Sequence, residues 1–231
     1  MMTFIIDPPA QPFLPIVGVD DQFPVGRIFC VGQNYADHVR EMGGDPARGQ
    51  PIFFDKPASA LAASGSTLAF PPATNDLHHE IELAVALRSG GTNLDAASAI
   101  SCILGYATAL DMTRRDLQQK AKSAGKPWDM AKGFDQSAPC GALSLMPGRV
   151  LGEGGISLSI NGQMRQSGDL NQMIWTVDEI LVELSKLVSL QPGDLILTGT
   201  PAGVSRVQPD DILEGSITGL APLTVTYQSN A

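Results

Sequence analysis

Short apolar runs bounded by glycine, proline or polar residues recur along the chain, and most are too short to form a stable helix. Runs of about four to eight apolar and β-branched residues between such breaks are typical of strands. Residues 156–166 also alternate apolar and polar positions around Asn161-Gly162, the signal of a two-residue type I′ hairpin. The other predicted strands are RIFCVG (27–32), PIFFDKP (51–57), TLAFPP (67–72), IELAVAL (81–87), GDLILTGTPAGV (193–204) and PLTVTY (222–227).

Helical spacing is found in fewer segments. Residues 34–44, NYADHVREMGG, have Asn34 as a candidate N-cap and the pair Gly43-Gly44 as a stop signal. TVDEILVELSKLV (176–188) begins with threonine and glutamate in capping-box spacing and predicts an amphipathic helix. Small and apolar residues recur at helical spacing over residues 94–110, and a polar helix is expected over 113–123.

Strands therefore outnumber helices, and they lack the regular β–α alternation of a parallel sheet. The first 24 residues are rich in proline and predict an extended strand-and-turn leader. Residues 25–231 contain no repeat and no low-complexity linker, so we expect one domain there. The predicted fold class is α+β, dominated by β structure.

Composition limits the classes of function. The 231 residues have a net charge of −9, which argues against nucleic-acid binding but is compatible with a small anionic substrate. The three cysteines are widely spaced and outside any CxxC pair, which indicates a reducing compartment. The N-terminal segment lacks the basic region of a signal peptide, and no apolar run reaches the roughly 18 residues of a membrane span. We expect a cytoplasmic protein.

Three acidic residues form the strongest candidate site. Glu80 and Glu82 are two apart in HHEIEL, so in a strand they point to the same face, whereas His79 would face away and is not counted as a ligand. Taken alone, the pair fits the exposed face of an edge strand. Asp111, however, ends an apolar run 29 residues after Glu82, and a buried carboxylate without a partner costs several kcal/mol. A divalent cation would satisfy all three acids, and all-oxygen ligands favour a hard metal such as Mg²⁺.

HHEIEL, LDMTRRDLQ and LTGTPAGV together resemble the fumarylacetoacetate hydrolase family. The resemblance extends from VGQNYADHVREM to the last strand, and DMTRRDLQ, GKPW and DQSAP are most similar to the fumarylpyruvate members among its short acylpyruvate hydrolases. It implies a mixed β-sandwich or roll, a homodimer, and Mg²⁺ or Mn²⁺ held by Glu80, Glu82 and Asp111. It also implies a small anionic 2-oxo acid as substrate.

The same resemblance implies roles for catalytic residues. His38 and Glu41, three apart on the predicted helix, would form a dyad on a closing lid, with the imidazole taking a proton from water. Without the resemblance, a solvated surface pair is the favoured interpretation of these two residues. Lys132, which lies in a predicted loop, would stabilise negative charge on a substrate oxygen.

Substrate contacts are expected at four more positions. Thr200 matches a position that hydrogen-bonds the substrate carboxylate, although alone it fits a plain turn hydroxyl. Arg115 and Gln118 match substrate-facing positions, although either fits an exposed helix face. Arg114, next to Arg115, is expected to reach the distal carboxylate of a dicarboxylic substrate. One departure is visible: Gln33 stands where acylpyruvate hydrolases often have arginine.

The implied reaction is hydrolytic cleavage of the carbon–carbon bond of a 2,4-dioxo acid, with fumarylpyruvate giving fumarate and pyruvate. A first alternative keeps the metal site but changes the reaction to decarboxylation or keto–enol tautomerisation of oxaloacetate. A second alternative is a non-catalytic β-rich protein whose acids hold a structural cation.

Overall fold

The computed structural model describes residues 4–229. In chain order, its strands are β1 Phe13–Pro15, β2 Gln22–Pro24, β3 Arg27–Gly32, β4 Ile52–Lys56, β5 Leu61–Ala63, β6 Thr67–Ala69, β7 Leu77–His78, β8 Ile81–Leu87, β9 Ile103–Leu110, β10 Thr113–Arg114, β11 Ala138–Cys140, β12 Ser144–Leu145, β13 Gly155–Ile160, β14 Gln163–Asp169, β15 Asp194–Leu197, β16 Ile212–Ile217 and β17 Leu223–Gln228. The α-helices are α1 Ala36–Glu41, α2 Ala96–Cys102, α3 Arg115–Ser123, α4 Asp129–Lys132 and α5 Val177–Leu187. Single 3₁₀ turns lie at Ala58–Ala60 and Leu170–Gln172.

Two sheets form the body of the molecule. The larger has the order β4-β3-β15-β8-β9-β11-β5, with β12 added on β9, and it is mixed because β15 runs parallel to β3 but antiparallel to β8. The smaller has the order β14-β13-β16-β17-β6. Apolar side chains from both sheets and from α5 form one core, so the two layers pack face to face as a sandwich.

The two faces of β8 enter different cores. Leu83 and Val85 belong to the core between the sheets, whereas Ala84 and Ala86 belong to a second core on the other face of the larger sheet. The leader covers that second face: β1 and β2 pair as a hairpin and contribute Leu14 to its core. Residues 4–24 of the leader therefore contain two short paired strands, and the division of the chain into a leader and one domain at residues 24 and 25 stays a prediction.

Several predicted elements are confirmed. β13 and β14 form the expected hairpin, with Asn161 at φ 51° and Gly162 at φ 75° as a type I′ turn requires. The helix α5 has the capping box between Thr176 and Glu179. Within residues 4–229, each helix is shorter or more polar than a bilayer-crossing helix would be.

The helix expected over residues 94–110 is wrong in its second half, because α2 ends at Cys102 and residues 103–110 form β9. β9 lies between β8 and β11 and is buried on both faces, so it lacks the alternation that would have distinguished a strand from a helix. Asn34 is also not the N-cap of α1, a position held by Tyr35. Thr113 lies in β10, and the helix that follows begins at Arg115.

Candidate active site

The three predicted acids meet at one end of the β8–β9 pair. Glu82 lies in β8 opposite Ala109, and the amide of Asp111 donates to the carbonyl of Glu80 at 2.9 Å, one pair beyond the ladder. One oxygen from each carboxylate lies within 4.8 Å of the others, and all three residues are at least 95% buried. Two neighbouring strands of a buried sheet therefore hold this acidic cluster rigidly.

Three cations surround the acidic cluster. Lys132 Nζ lies 2.8 Å from Glu80 Oε2 and 2.6 Å from Asp111 Oδ2, and Arg115 Nη2 donates to Glu80 Oε1 at 2.5 Å. Lys56 Nζ lies 2.8 Å from Asp111 Oδ1. Lys132 is the last residue of α4, not part of a loop as expected. Lys56 was not predicted as a site residue, although a lysine at the end of the apolar strand IFFDK was a signal.

Within residues 4–229, no lysine or arginine forms an ion pair with Glu82. The amide of Gly199 donates to Glu82 Oε2 at 2.8 Å. Gly199 has φ 96°, and a Cβ there would lie 2.7 Å from the Cβ of Asn34, so only glycine brings this amide to the carboxylate. Burial raises the pKa of Glu82 well above its usual value, and the neighbouring carboxylates of Asp111 and Glu80 raise it further.

The pKa of Glu80 is lowered and the pKa of Lys132 is raised, so both shifts favour the charged form of the group. Burial would raise the pKa of Glu80, but the charges of Lys132 and Arg115 outweigh it and hold that pKa well below the usual value. Burial would likewise lower the pKa of Lys132, but Asp111 and Glu80 outweigh it and raise that pKa. Both groups are therefore charged at neutral pH.

The donor set of the acidic cluster fits a hard divalent cation. All candidate ligand atoms are carboxylate oxygens, and Glu82 has no ion-pair partner in the described part of the chain. Asp111 Oδ1 is buried and meets Lys56 only as an ion pair, without hydrogen-bond geometry, so it retains acceptor capacity. A cation among the three oxygens would compensate both groups.

His38 and Glu41 lie on α1 and form the expected pair. His38 Nδ1 is 3.1 Å from Glu41 Oε2, and the other carboxylate oxygen accepts from the amide of Gly203 at 3.0 Å. A carboxylate only accepts, so His38 donates through Nδ1 and keeps the lone pair of Nε2 for a proton. His38 is buried and lines the same cavity as the acidic cluster.

The chain entering α1 is anchored by Asn34. Its side-chain amide donates to the carbonyls of Trp175 and Thr198, at 2.9 and 2.7 Å, and its oxygen accepts from the amide of Trp175 at 2.7 Å. This network ties the start of the helix to the loop after β15, which carries Gly199. The side chain that was expected to cap α1 therefore positions two parts of the site relative to each other.

Three of the four expected substrate contacts line this cavity. They are Arg115, Gln118 and Thr200. Arg115 Nη1 donates to Gln118 Oε1 at 2.6 Å, so one turn of α3 presents a guanidinium and an amide side by side. Gln33, which replaces the family's common arginine, also lines the cavity and has φ 60°.

Arg114 lies elsewhere, contrary to expectation. Its guanidinium stacks 4.4 Å from the ring centroid of Phe134 and donates to the carbonyl of Met130 at 3.2 Å. Arg114 ends β10 and Arg115 begins α3, so their side chains diverge although they are adjacent. Arg114 therefore lies outside the lining of this cavity.

A different cation, Lys122, lines the cavity. Its Nζ lies 4.9 Å from the ring centroid of Trp128, and no acidic side chain among residues 4–229 forms an ion pair with it. Burial lowers the pKa of Lys122, and the charge of Arg115 lowers it further. Residues 115, 118 and 122 are spaced to share one helix face, so extending that face would have identified this lysine from the sequence.

Comparison with known proteins places the fold and the site in context. The family model for the fumarylacetoacetate hydrolase C-terminal domain matches residues 27–228. The fumarylpyruvate hydrolase of Ralstonia sp. is 42% identical over 177 residues, which cover 77% of this chain and 92% of that protein. Human mitochondrial oxaloacetate tautomerase is 41% identical over 201 residues, which cover 86% of this chain and 90% of that protein.

Solved structures agree with these matches. The crystal structure of fumarylpyruvate hydrolase from Pseudomonas aeruginosa in complex with Mn²⁺ and pyruvate superposes with a TM-score of 0.96 at 43% identity, covering 99% of this chain and all of that one. A Burkholderia cenocepacia structure described as a putative fumarylpyruvate hydrolase has a TM-score of 0.91 at 44% identity, over 100% and 97% of the two chains. The predicted α+β fold is confirmed, whereas the homodimer and the cytoplasmic location stay predictions.

Proposed function

Because the chain belongs to the fumarylacetoacetate hydrolase family, we propose that it hydrolyses the carbon–carbon bond of an acylpyruvate, with fumarylpyruvate as the substrate that its site fits best. One observation supports this most strongly. His38, oriented by Glu41, lines the same cavity as the acidic cluster, so a base with a free lone pair faces a candidate metal site.

Glu80, Glu82 and Asp111 would hold the divalent cation, Mg²⁺ or Mn²⁺. All-oxygen ligands favour both ions, and the Pseudomonas aeruginosa relative was crystallised with Mn²⁺. A bound cation supplies positive charge that draws electron density from the substrate's 2-oxo oxygen.

The protein's own residues account for the proton transfers. Glu41 holds His38 Nδ1–H, and His38 Nε2 takes a proton from water as the water oxygen bonds to the C4 carbonyl carbon. The C3–C4 bond of the tetrahedral intermediate then breaks, and its electron pair forms the enolate of pyruvate. The Lys132 ammonium stabilises the enolate oxygen, and the proton held by His38 passes to C3 to complete pyruvate.

Recognition is shared between the two ends of the substrate. Arg115, Gln118 and Thr200 offer donors to the carboxylate next to the oxo group. Lys122 is the cation for the distal carboxylate, since it lines the cavity without an ion-pair partner among the described residues. This cation favours fumarylpyruvate over acylpyruvates with an uncharged acyl end.

The test compares Lys122→Met on two substrates, with Mn²⁺ present. A lost charge-assisted hydrogen bond is typically worth roughly 1.5–3 kcal/mol, so kcat/KM for fumarylpyruvate should fall about ten- to a hundred-fold. Acetylpyruvate, which has no distal charge, should lose less than about threefold. Lys120→Met is the matched control, because Lys120 is exposed on the same helix and lies outside the cavity lining. Equal losses on both substrates would assign Lys122 a general role.

Tautomerisation of oxaloacetate is the second candidate, because the human relative bears that activity in its name and covers 86% of this chain. It moves a proton between carbon and oxygen and needs no attack by water. His38→Ala should therefore lower acylpyruvate hydrolysis by about a hundredfold or more while keeping more of any tautomerase activity. Oxaloacetate tautomerisation by a wild-type protein that cleaves no acylpyruvate would overturn the hydrolase proposal.

A further inference from the structure

Gln166 has a fully buried side chain and lies outside the acidic cluster. One of its hydrogen-bond partners, Thr200, lines the cavity. It lies on β14 opposite Leu158, and its amide group forms four hydrogen bonds. Oε1 accepts from the backbone amide of Ile81 at 3.0 Å and contacts His79 Nδ1 at 2.8 Å. Nε2 donates to Thr200 Oγ1 and to the carbonyl of Pro201, both at 2.8 Å.

The orientation of this amide group is determined by two backbone partners. The amide of Ile81 can only donate, so the atom that it meets is the side-chain oxygen. The carbonyl of Pro201 can only accept, so the atom that it meets is the side-chain nitrogen. Exchanging oxygen and nitrogen would place two donors face to face at Ile81 and two acceptors face to face at Pro201.

This orientation sets the direction of every hydrogen bond around Gln166. Because its oxygen accepts, His79 donates through Nδ1, and His79 Nε2 then accepts from Ser205 Oγ at 2.8 Å. Because its nitrogen donates, the hydroxyl oxygen of Thr200 is an acceptor. The bonds from Ser205 through His79 and Gln166 to Thr200 therefore all point towards the cavity.

Thr200 is left with one proton to donate. Its hydroxyl forms no second hydrogen bond with residues 4–229, and Thr200 lines the cavity. A hydroxyl has one proton to donate and two lone pairs that accept, and Gln166 Nε2 already donates to one lone pair of Thr200 Oγ1, which turns the proton away from Gln166. Its remaining proton is therefore available to an acceptor in the cavity.

We propose that Gln166 is a positioning residue that orients the Thr200 hydroxyl, so that its proton is donated to an anionic oxygen of the bound ligand. That ligand is a 2-oxo acid carboxylate if the proposed function holds. A carboxylate only accepts, so it matches a hydroxyl held in the donor state.

The test measures oxalate binding by titration calorimetry to the Mn²⁺-loaded protein, with the variants Gln166→Glu, Thr200→Val, Thr200→Ser and the double variant Q166E/T200V. A glutamate has at most one proton to share between the carbonyl of Pro201 and Thr200, so the Thr200 hydroxyl would turn towards it. Gln166→Glu and Thr200→Val should each weaken oxalate binding about tenfold. Thr200→Ser, which keeps the hydroxyl, should bind within about threefold of wild type.

The double variant separates positioning from a general structural role. If Gln166 acts through Thr200, Gln166→Glu should change the oxalate affinity by less than about twofold once Thr200 is valine. The proposal would be overturned if the fold-losses in oxalate affinity of the two single variants multiply in the double variant. It would also be overturned if Thr200→Val leaves the oxalate affinity unchanged. Melting temperature and Mn²⁺ affinity of each variant are measured alongside, and an unchanged oxalate affinity in Thr200→Val overturns the proposal even if Gln166→Glu fails to fold.

Kinetics with an acylpyruvate give a second readout. Gln166→Glu should raise KM more than it lowers kcat, since Thr200 holds the ligand and takes no part in the proton transfers. Coupling between the two residues in oxalate binding, without acylpyruvate turnover by the wild type, would refute the proposed function and leave this inference standing. Acylpyruvate turnover by the wild type, without coupling between Gln166 and Thr200, would support the proposed function and refute this inference.

Discussion

Replacing Lys56 by methionine tests whether the acidic cluster depends on charge supplied by the protein. Lys56 is 2% exposed, and its ammonium lies 2.8 Å from Asp111 Oδ1. It also donates to the carbonyl of Met112 at 3.2 Å, to Ser137 Oγ at 3.1 Å and to the carbonyl of Lys132. Methionine has nearly the same length and volume, so the substitution removes the charge and the donors and leaves the packing nearly intact.

The expected loss of stability follows from these contacts. Removing one partner of a buried ion pair costs about 3–5 kcal/mol, because the other charge stays buried without compensation. Asp111 keeps Lys132 as its second partner, and the carbonyl of Lys132 keeps the hydroxyl of Ser137, so the lower half of this range is expected. For a chain of this length, about 3–4 kcal/mol lowers Tm by roughly 6–16 °C.

Thermal unfolding of the chelator-treated protein, followed by circular dichroism, measures this loss. Lys120→Met is the control, because Lys120 is exposed and its loss should change the free energy of unfolding by less than about 0.5 kcal/mol. Saturating Mn²⁺ should then reduce the difference in Tm between Lys56→Met and wild type, since a bound cation gives Asp111 a new positive neighbour. A loss of less than about 1 kcal/mol in the free energy of unfolding, or a Tm difference that Mn²⁺ leaves unchanged, would refute the reasoning.

Two further predictions concern the metal and the lid. Glu82→Ala should abolish divalent-metal binding in calorimetry and lower turnover to the level of the metal-stripped wild type. Glu153 is exposed, so Glu153→Ala should keep the metal affinity and the turnover of the metal-loaded wild type. Full wild-type activity after verified metal removal would contradict this. Residues 34–45 should exchange amide hydrogens more slowly when oxalate and Mn²⁺ are added, with Val39 in α1 as a reporter, because α1 is expected to close over the ligand. Exchange that stays unchanged at saturating oxalate would rule out a closing lid.

The sequence predicted those parts of the site that are formed by residues close together in the chain. The period-two pattern of β8 placed Glu80 and Glu82 on one side, and the end of an apolar run identified Asp111 as a buried acid. The spacing of His38 and Glu41 on a short helix predicted their contact, which the structure shows at 3.1 Å.

Features that depend on distant contacts were not predictable in this way. Lys56 meets an aspartate 55 positions away, and Gln166 meets partners as far as 87 positions away. No local pattern encodes such pairs, because either residue alone fits an exposed strand position. The stretch ending at Leu110 was misassigned for a related reason, since a strand buried on both faces shows no polarity pattern.

The ion pairs of the acidic cluster have a consequence for the order in which the protein matures. Small zinc domains are unfolded until their metal arrives, because their ligands have no other partner. In this chain Lys56, Lys132 and Arg115 already neutralise most of the negative charge, so the polypeptide can reach its native state before it meets an ion. A divalent cation would then bind at a site that is already formed, so folding of the chain and binding of the ion can be separate steps.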